Sequence, residues 1–157
     1  MRKLSFPFVD HLQGLAPLVL RLGVGLLFAV HGLSKLTKGP VKFSSMLTGL
    51  GVGAPVAVAW LVTIAELVGG LLIVVGLLTR LATLPLIATL VGAILLVKVD
   101  VGIIAPAGAP MPGAEVDIAL LAGLVALLFM GPGRISIDRM AGVEASPLES
   151  PAVEAHA

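Results

Sequence analysis

Four apolar segments, each about 20 residues long, limit the folds open to this chain, because each can cross the hydrocarbon layer of a membrane as a helix. They run over residues 15–36, 56–78, 81–97 and 114–130. The chain is 58% hydrophobic and only 12% charged, and its mean hydropathy is +1.13. So few charged residues cannot form a water-exposed surface around so large an apolar interior. We therefore expect lipid to surround most of the protein.

The apolar segments predict helices, because a stretch such as LVGGLLIVVGLL shows none of the alternation that a membrane β-barrel requires. The predicted fold is an all-α membrane protein with four transmembrane helices in an antiparallel bundle. We expect Thr79 and Arg80 to form the tight turn between the second and third spans.

A short amphipathic helix is predicted between the first two spans. Phe43, Met46, Leu47 and Leu50 recur at the spacing of one helix face. A helix so short and so patterned is expected to lie in the membrane interface.

The domain organisation follows from the same pattern. Residues 1–140 are predicted to form a single transmembrane domain, and residues 141–157 a disordered tail of small, proline and acidic residues. The Gly- and Pro-rich stretch 99–113 predicts an irregular loop. No cleavage site follows the basic start MRKLSFPF, so the first span is expected to be retained. The chain has no cysteine, which excludes disulfides and thiolate-held clusters, and a net charge of +1 gives no indication of nucleic-acid binding.

The basic residues that flank the spans favour both termini in the cytoplasm, on the side of Arg80. That side carries six basic residues, Arg2, Lys3, Arg21, Arg80, Arg134 and Arg139, against four on the other, Lys35, Lys38, Lys42 and Lys98.

Three charged or titratable residues interrupt the first span. Thirteen residues separate Arg21 from Lys35, about 20 Å of helix, whereas the hydrocarbon core is about 30 Å thick. At least one of them must therefore lie below the headgroups. Arg21, His31 and Lys35 share one stripe of the helix, which we expect to face the protein interior.

Glu66 is the expected counter-charge in the second span. It lies ten residues in from Val56, near the middle of the bilayer. In an antiparallel pair of spans it should come level with residues 26–28, within reach of Arg21 or His31. The sequence leaves two interpretations open: a structural ion pair that fixes helix packing, or a site for a ligand, a quinone or a proton.

A second polar group is expected where the third and fourth spans meet the outer surface. Lys98 ends the third span, and Glu115 and Asp117 begin the fourth. With His31 and Lys35 they predict a pocket that opens outward, whose acidic residues form a solvated rim rather than a metal site. We also expect no haem, since His31 is the single imidazole placed inside the membrane by the predicted spans.

Several stretches resemble the DoxX family of small four-helix membrane proteins. They are RLGVGLLFAVHGLSKL in the first span, WLVTIAELVGGLLIVVGLLTRLATL across the next two, GAEVDIALLAG in the fourth, and GPGRISID after it. The family's polar signature falls on Arg21, His31, Gly32, Lys35, Glu66, Gly70, Arg80, Glu115, Arg134 and Asp138. The chain departs from the family pattern at Val116, where an aromatic residue is frequent, and at Lys98, where histidine is frequent.

The resemblance implies a membrane subunit associated with oxidoreductase, sulfur-linked or oxidative-stress complexes, with membrane lipid and redox proteins as partners. Contact with quinone is expected in the region of Glu66 and His31. A small-solute or proton pathway through the bundle and a purely structural scaffold are the alternatives. Whether the protein is itself an enzyme, and whether it forms a homo-oligomer, stays open.

Overall fold

The structure, a computed structural model, describes residues 12–109 and 111–143, and this part of the chain is helical without any β-strand. A short 3₁₀ turn, Gln13–Leu15, precedes the first helix. The helices are α1 (Ala16–Lys38), α2 (Pro40–Gly49), α3 (Pro55–Val75), α4 (Thr79–Ala93), α5 (Glu115–Met130) and α6 (Ile137–Met140). The last turn of α4 continues as a π-helix over Ile94–Lys98. The predictions for residues 1–11 and for the tail 144–157 lie outside the described residues.

Three helices are long and apolar enough to cross a membrane, and they coincide with the first three predicted spans. They are Gln13–Lys38, Pro55–Val75 and Thr79–Lys98, with 26, 21 and 20 residues. Helix α5 has 16 residues, about 24 Å at 1.5 Å per residue, which is shorter than the hydrocarbon layer. Large apolar side chains such as Leu61 and Val19 are exposed along these helices, as expected for surfaces that contact lipid.

The connection between α3 and α4 differs from the prediction. Thr79 and Arg80 already belong to α4, and the turn comprises residues 76–78. Gly76 and Leu78 have φ angles of 71° and 49°, a left-handed conformation that glycine adopts freely and leucine rarely. The N–H of Leu78 donates to the Asp138 carboxylate at 2.6 Å. This long-range bond holds the turn where it is, which local sequence does not reveal.

Helices α1 and α3 form the most extensive contact in the bundle. Gly32 lies directly against the backbone of Leu67, and Gly70 against the backbone of Gly25 and Ala29. Because glycine has no side chain, the two apolar helices approach closely at these positions without lipid between them.

The apolar core lies at the centre of the bundle. Phe28 from α1, Ile73 from α3, Leu86 from α4 and Leu124 and Leu127 from α5 pack together there, all 3% exposed or less. The core divides the bundle into two ends, which we name by their charged residues. The Lys35 end contains the C-termini of α1 and α4, and the Arg21 end contains the turn between α3 and α4.

Helix α2 packs on α3 through the part of its surface that contains Ser44 and Leu47, which are 5% and 6% exposed. The four residues of the predicted apolar face are therefore buried to different extents. Leu47 faces the protein, Phe43 is half-buried, and Met46 and Leu50 are exposed.

Candidate functional site

An ion pair joins the first two spans inside the Lys35 end. The Nζ atom of Lys35 donates to Oε1 of Glu66 at 2.6 Å, and the two side chains are 25% and 6% exposed. The same ammonium group lies 4.7 Å from the centre of the Phe43 ring, which adds a cation–π contact. The second carboxylate oxygen, Oε2 of Glu66, is buried and accepts no hydrogen bond from any described residue.

The predicted pairing of Glu66 with Arg21 or His31 is wrong. The prediction placed Glu66 level with residues 26–28, on the assumption that the two spans are centred on each other. The contact of Gly32 with Leu67 shifts α1 along α3, so that Glu66 comes level with the last turns of α1. Lys35 reaches it there, while Arg21 lies at the other end of the bundle.

A partly enclosed cavity of about 610 Å³ opens beside Glu66. Its walls are mostly apolar and come from the four long helices together with α2, for example Phe28, Met46 and Val62. Five charged or titratable side chains also line it: His31, Lys35, Glu66, Lys98 and Asp117. The structure thus brings together five of the seven residues that the sequence assigned to a polar cluster.

The outer polar group is only partly assembled. Lys98, at the end of the π-helical turn, donates from Nζ to the backbone oxygen of Pro112 at 2.6 Å. Asp117 is half-buried in the cavity wall. Glu115 does not line the cavity, because it precedes Asp117 by about 200° around α5 and is exposed on nearly the opposite face. Within residues 12–109 and 111–143, no three potential metal-binding side chains converge.

A second, more open concavity runs along the outside of α1 and α5. This groove has a volume of about 1000 Å³ and is lined almost wholly by apolar and small residues, among them Val19, Gly23 and Ala119. Glu115 stands at one end of it and Met130 at the other. The cavity and the groove share three lining residues, Leu27, Val116 and Leu120, so the two are adjacent.

Arg21 lies at the opposite end and forms no direct ion pair with a carboxylate of the described residues. Its guanidinium donates to four backbone oxygens, those of Ile73, Val74, Pro132 and Ile135, at 2.6–3.0 Å. The residue is 1% exposed. Two of these acceptors, Ile73 and Val74, belong to the last turn of α3, whose carbonyls are not all used within the helix because α3 ends at Val75. Arg21 therefore belongs to a structural anchor and not to the Glu66 cavity.

Asp138 completes this anchor. Its carboxylate accepts hydrogen bonds from the N–H groups of Leu78 and Thr79 and from the Thr79 hydroxyl, at 2.6–3.0 Å. The carboxylate thus caps the N-terminus of α4, where the helix dipole favours negative charge.

Arg80 and Arg134, which belong to the family's polar signature, also lie at the Arg21 end. Arg80 donates to the backbone oxygen of Leu128, which ties the start of α4 to the end of α5. Arg134 is exposed and lies beside Gly14.

Two contributors to these sites were missed from the sequence. The Phe43 ring lies over the ammonium group of Lys35. Its place on the predicted amphipathic face was the one signal in the sequence for a contact with the bundle. The acceptors of Arg21 are backbone oxygens, which carry no side-chain signal at all.

Comparison with known proteins agrees with this architecture. The DoxX family model matches residues 16–99, more than half of the chain. The chain belongs to the DoxX family. The DoxX match includes both partners of the Lys35–Glu66 pair and ends just after Lys98.

Two relatives extend the DoxX similarity over most of the chain. An uncharacterized membrane protein of Mycobacterium tuberculosis is 36% identical over 146 residues, which cover 86% of this chain and 87% of the relative. A Bacillus subtilis protein that carries the name "Putative oxidoreductase CatD" is 34% identical over 124 residues, covering 77% of this chain and 83% of the relative. No solved structure matches the chain.

Proposed function

We propose that this protein is an accessory membrane subunit of an oxidoreductase system and that it holds a lipophilic ligand of the quinone class beside Glu66. The cavity is the observation that carries the proposal. Its volume of about 610 Å³ and its apolar walls with a few polar groups are typical of small-molecule sites. The name of the Bacillus subtilis relative supports the association with redox chemistry.

In this proposal α5 is the fourth span of the bundle, and α2 lies in the interface at the Lys35 end. The contacts of α5 with α4 and α1 support this arrangement, as do its exposed apolar side chains Ile118 and Phe129.

The ligand's headgroup would occupy the cavity, and its apolar tail the groove between α1 and α5. Leu27, Val116 and Leu120 line both, so the tail would pass beside these three side chains. From Leu27 to Leu15 the groove follows α1 for about 18 Å at 1.5 Å per residue, enough for a tail of several isoprenoid units. A quinone has this form, a polar ring with a long apolar chain.

The alternative of a proton or solute pathway has less support. The Glu66 pair and the Arg21 anchor are separated by the apolar core of Phe28, Ile73 and Leu86. A pathway between the two ends would have to cross this layer, where a charge is costly.

Fluorescence of a Val58→Trp variant tests the proposal, because Val58 lines the cavity. The one native tryptophan, Trp60, is 42% exposed on the other side of α3 and is removed by Trp60→Phe in the same protein. The protein would be purified, placed in quinone-free nanodiscs and titrated with a benzoquinone that carries a ten-carbon alkyl tail. We expect saturable quenching. Quenching that rises linearly, as for quinone merely dissolved in lipid, would contradict the proposal.

A matched pair of variants locates the tail. Gly23→Leu places a large side chain in the groove and should weaken binding of the ten-carbon quinone but not of a methyl-substituted one. Val30→Leu adds bulk on α1 at a site that is 60% exposed and outside both recesses. It should leave both ligands unaffected.

A further inference from the structure

We infer that Lys35 is the residue that binds the polar oxygen of the ligand in the cavity, and that Glu66 is a positioning residue that acts through Lys35. The inference rests on the proposed function and adds to it the group that holds the headgroup. It depends on the exposure of the two side chains, on the donors of the Lys35 ammonium group and on the contacts that fix this group in place.

The two members of the ion pair differ in how far a ligand can reach them. Both line the cavity, but the side chain of Glu66 is 6% exposed and that of Lys35 is 25% exposed. Of the two carboxylate oxygens, Oε1 accepts from Lys35, and Oε2 has almost no accessible surface. The ammonium group is therefore the part of the pair that a ligand in the cavity can contact.

The ammonium group of Lys35 has donors to spare. It carries three N–H groups, and the donation to Oε1 of Glu66 at 2.6 Å is its one hydrogen bond within residues 12–109 and 111–143. The Phe43 ring, whose centre lies 4.7 Å from Nζ, offers no oxygen or nitrogen acceptor. A donor left without an acceptor in an apolar wall is costly. A ligand oxygen that accepts from Lys35 removes this cost.

Three helices fix the ammonium group at this point of the wall. Lys35 belongs to α1, Glu66 to α3 and Phe43 to α2. A lysine near the end of a span has a long flexible stem, and it would extend toward the headgroups if nothing held it. The buried carboxylate holds it at the cavity instead. Glu66 thus orients the donor without itself contacting the ligand.

The matching group of the ligand is an oxygen acceptor. The carbonyl oxygens of an oxidised quinone and the hydroxyl oxygens of a reduced one both accept hydrogen bonds, so Lys35 serves either form. A charged donor forms a stronger hydrogen bond than a neutral one, and apolar surroundings strengthen it further. The ammonium group therefore orients the ring, while the apolar walls hold it by contact.

Lys98, the other lysine of the cavity, is less suited to this role. It donates to the backbone oxygen of Pro112 at 2.6 Å, in an exposed hydrogen bond at the end of the π-helical turn. Water can satisfy the remaining donors of a group so exposed, which lowers what a ligand gains from them. We therefore expect Lys35 to contribute most of the polar part of the affinity.

Two probes in quinone-free nanodiscs test the inference. One is the ten-carbon-tailed benzoquinone, measured by quenching in the Val58→Trp/Trp60→Phe protein. The other is benzene with the same tail, which has no oxygen and is measured by its displacement of the quinone. We expect Lys35→Met to weaken quinone binding about tenfold or more, as loss of a hydrogen bond to a charged group implies, and to change binding of the tailed benzene by less than about twofold.

Two further lysines provide comparisons for Lys35→Met. Lys42→Met changes an exposed lysine of α2 outside the cavity and should change quinone affinity by less than about twofold. Lys98→Met should weaken quinone binding by about threefold or less, because water competes for its donors.

A second substitution separates the roles of the pair. Glu66→Leu removes the carboxylate that holds Lys35 and should weaken quinone binding about fivefold or more. In the Lys35→Met protein the same change should alter the affinity by less than about twofold, because no ammonium group is left to position. The double variant replaces a buried ion pair by apolar side chains, which proteins generally tolerate, so it also controls for folding. Equal losses from Glu66→Leu in both backgrounds would overturn the positioning role.

The remaining outcomes distinguish the inference from the proposed function. Unchanged quinone affinity in Lys35→Met, or equal losses for the quinone and the tailed benzene, would overturn the inference and leave the proposed function standing. A larger loss in Lys98→Met than in Lys35→Met would do the same. Absence of saturable quinone binding in the Val58→Trp/Trp60→Phe protein with Lys35 and Glu66 intact would overturn both.

Discussion

Two buried charges of this bundle, Arg21 and Glu66, are stabilised in different ways. The guanidinium of Arg21 is directed to four backbone oxygens, and its planar fork suits several acceptors at once. The Glu66 carboxylate has one ammonium partner and one oxygen left over. The first arrangement makes four hydrogen bonds to the backbone, while the second leaves one carboxylate oxygen without a partner among the described residues.

Arg21→Lys tests the structural role of the anchor. A lysine has three donors on a single nitrogen and cannot reach four oxygens of two separate segments. We expect the free energy of unfolding to fall by about 2 kcal/mol or more, since buried acceptors lose their donor. Reversible unfolding in mixed micelles, followed by circular dichroism, measures the change. Arg139→Lys, at an exposed position, should change stability by about 0.5 kcal/mol or less, and equal losses in the two variants would contradict the anchor.

The Lys35–Glu66 pair is tested by a double-mutant cycle. Glu66→Ala leaves a partly buried ammonium without its partner and should destabilise the bundle by about 3 kcal/mol, as one-sided removal of a buried pair does. Lys35→Met should cost a similar amount, and the double variant clearly less than the sum. The same unfolding assay provides the three values. If Glu66→Leu alone were as stable as the parent, the carboxylate would have no structural role.

The sequence predicts that Arg21 and Glu66 are buried but not which charged residues pair, and His31, expected on the inward stripe, is exposed. The spacing of Arg21, His31 and Lys35 placed them on one stripe, and the position of Glu66 in an apolar span indicated a buried carboxylate. The choice among these partners depends on how far α1 is shifted along α3, which backbone contacts at Gly32 and Gly70 determine. No feature of the charged residues themselves contains that information.

At the level of helices, the contact between α1 and α3 fixes the geometry of the site. A Cβ atom at Gly25 would lie 2.8 Å from the backbone oxygen of Gly70, and one at Gly70 would lie 2.5 Å from the backbone nitrogen of Ala29. Such contacts involve backbone atoms on both sides and cannot be relieved by a change of rotamer.

Gly32→Ala tests this close contact. The added methyl group meets the backbone of Leu67, so the helices must separate, and we expect a loss of about 1–3 kcal/mol, typical of overpacking. The matched control is Gly23→Ala on the same helix, where nothing lies within 4 Å of the new methyl group. That change should be neutral or stabilising by up to about 1 kcal/mol, because alanine favours helix more than glycine does. A control as destabilising as Gly32→Ala would mean that the close contact does not set stability.

The start of α3 and both limits of α5 agree with the predicted spans within one residue, whereas the turn between α3 and α4 does not. Pro40 and Pro55 stand in the first turns of α2 and α3, positions that proline favours. The turn at residues 76–78 was misplaced by three residues because Asp138, 60 positions away from Leu78, holds it.

At the scale of the whole molecule, two polar clusters lie at opposite ends of an apolar core. The Arg21 end is closed by saturated hydrogen bonds, while the Lys35 end contains the open cavity. The charge distribution in the sequence favours a cytoplasmic location for the Arg21 end, so the cavity would open near the opposite face of the membrane.

Cysteine labelling tests this orientation, and the absence of native cysteine makes it clean. Single cysteines at Lys42 and Gly108, both exposed at the Lys35 end, should react with a membrane-impermeant maleimide in intact cells. A cysteine at Ser150 should react only after the cells are opened. The opposite pattern would reverse the orientation and place the cavity on the cytoplasmic side.

The anchor around Arg21 also has a consequence for biosynthesis. Two of its four acceptors, on Pro132 and Ile135, follow Arg21 by 111 and 114 positions. At a translation rate of about 5–20 residues per second, the first span must wait roughly 5–25 s for them after leaving the ribosome. Through that interval its guanidinium is incompletely satisfied and is expected to remain near the headgroups. We therefore expect the first helix to reach its final depth only after the segment 131–138 has been synthesised.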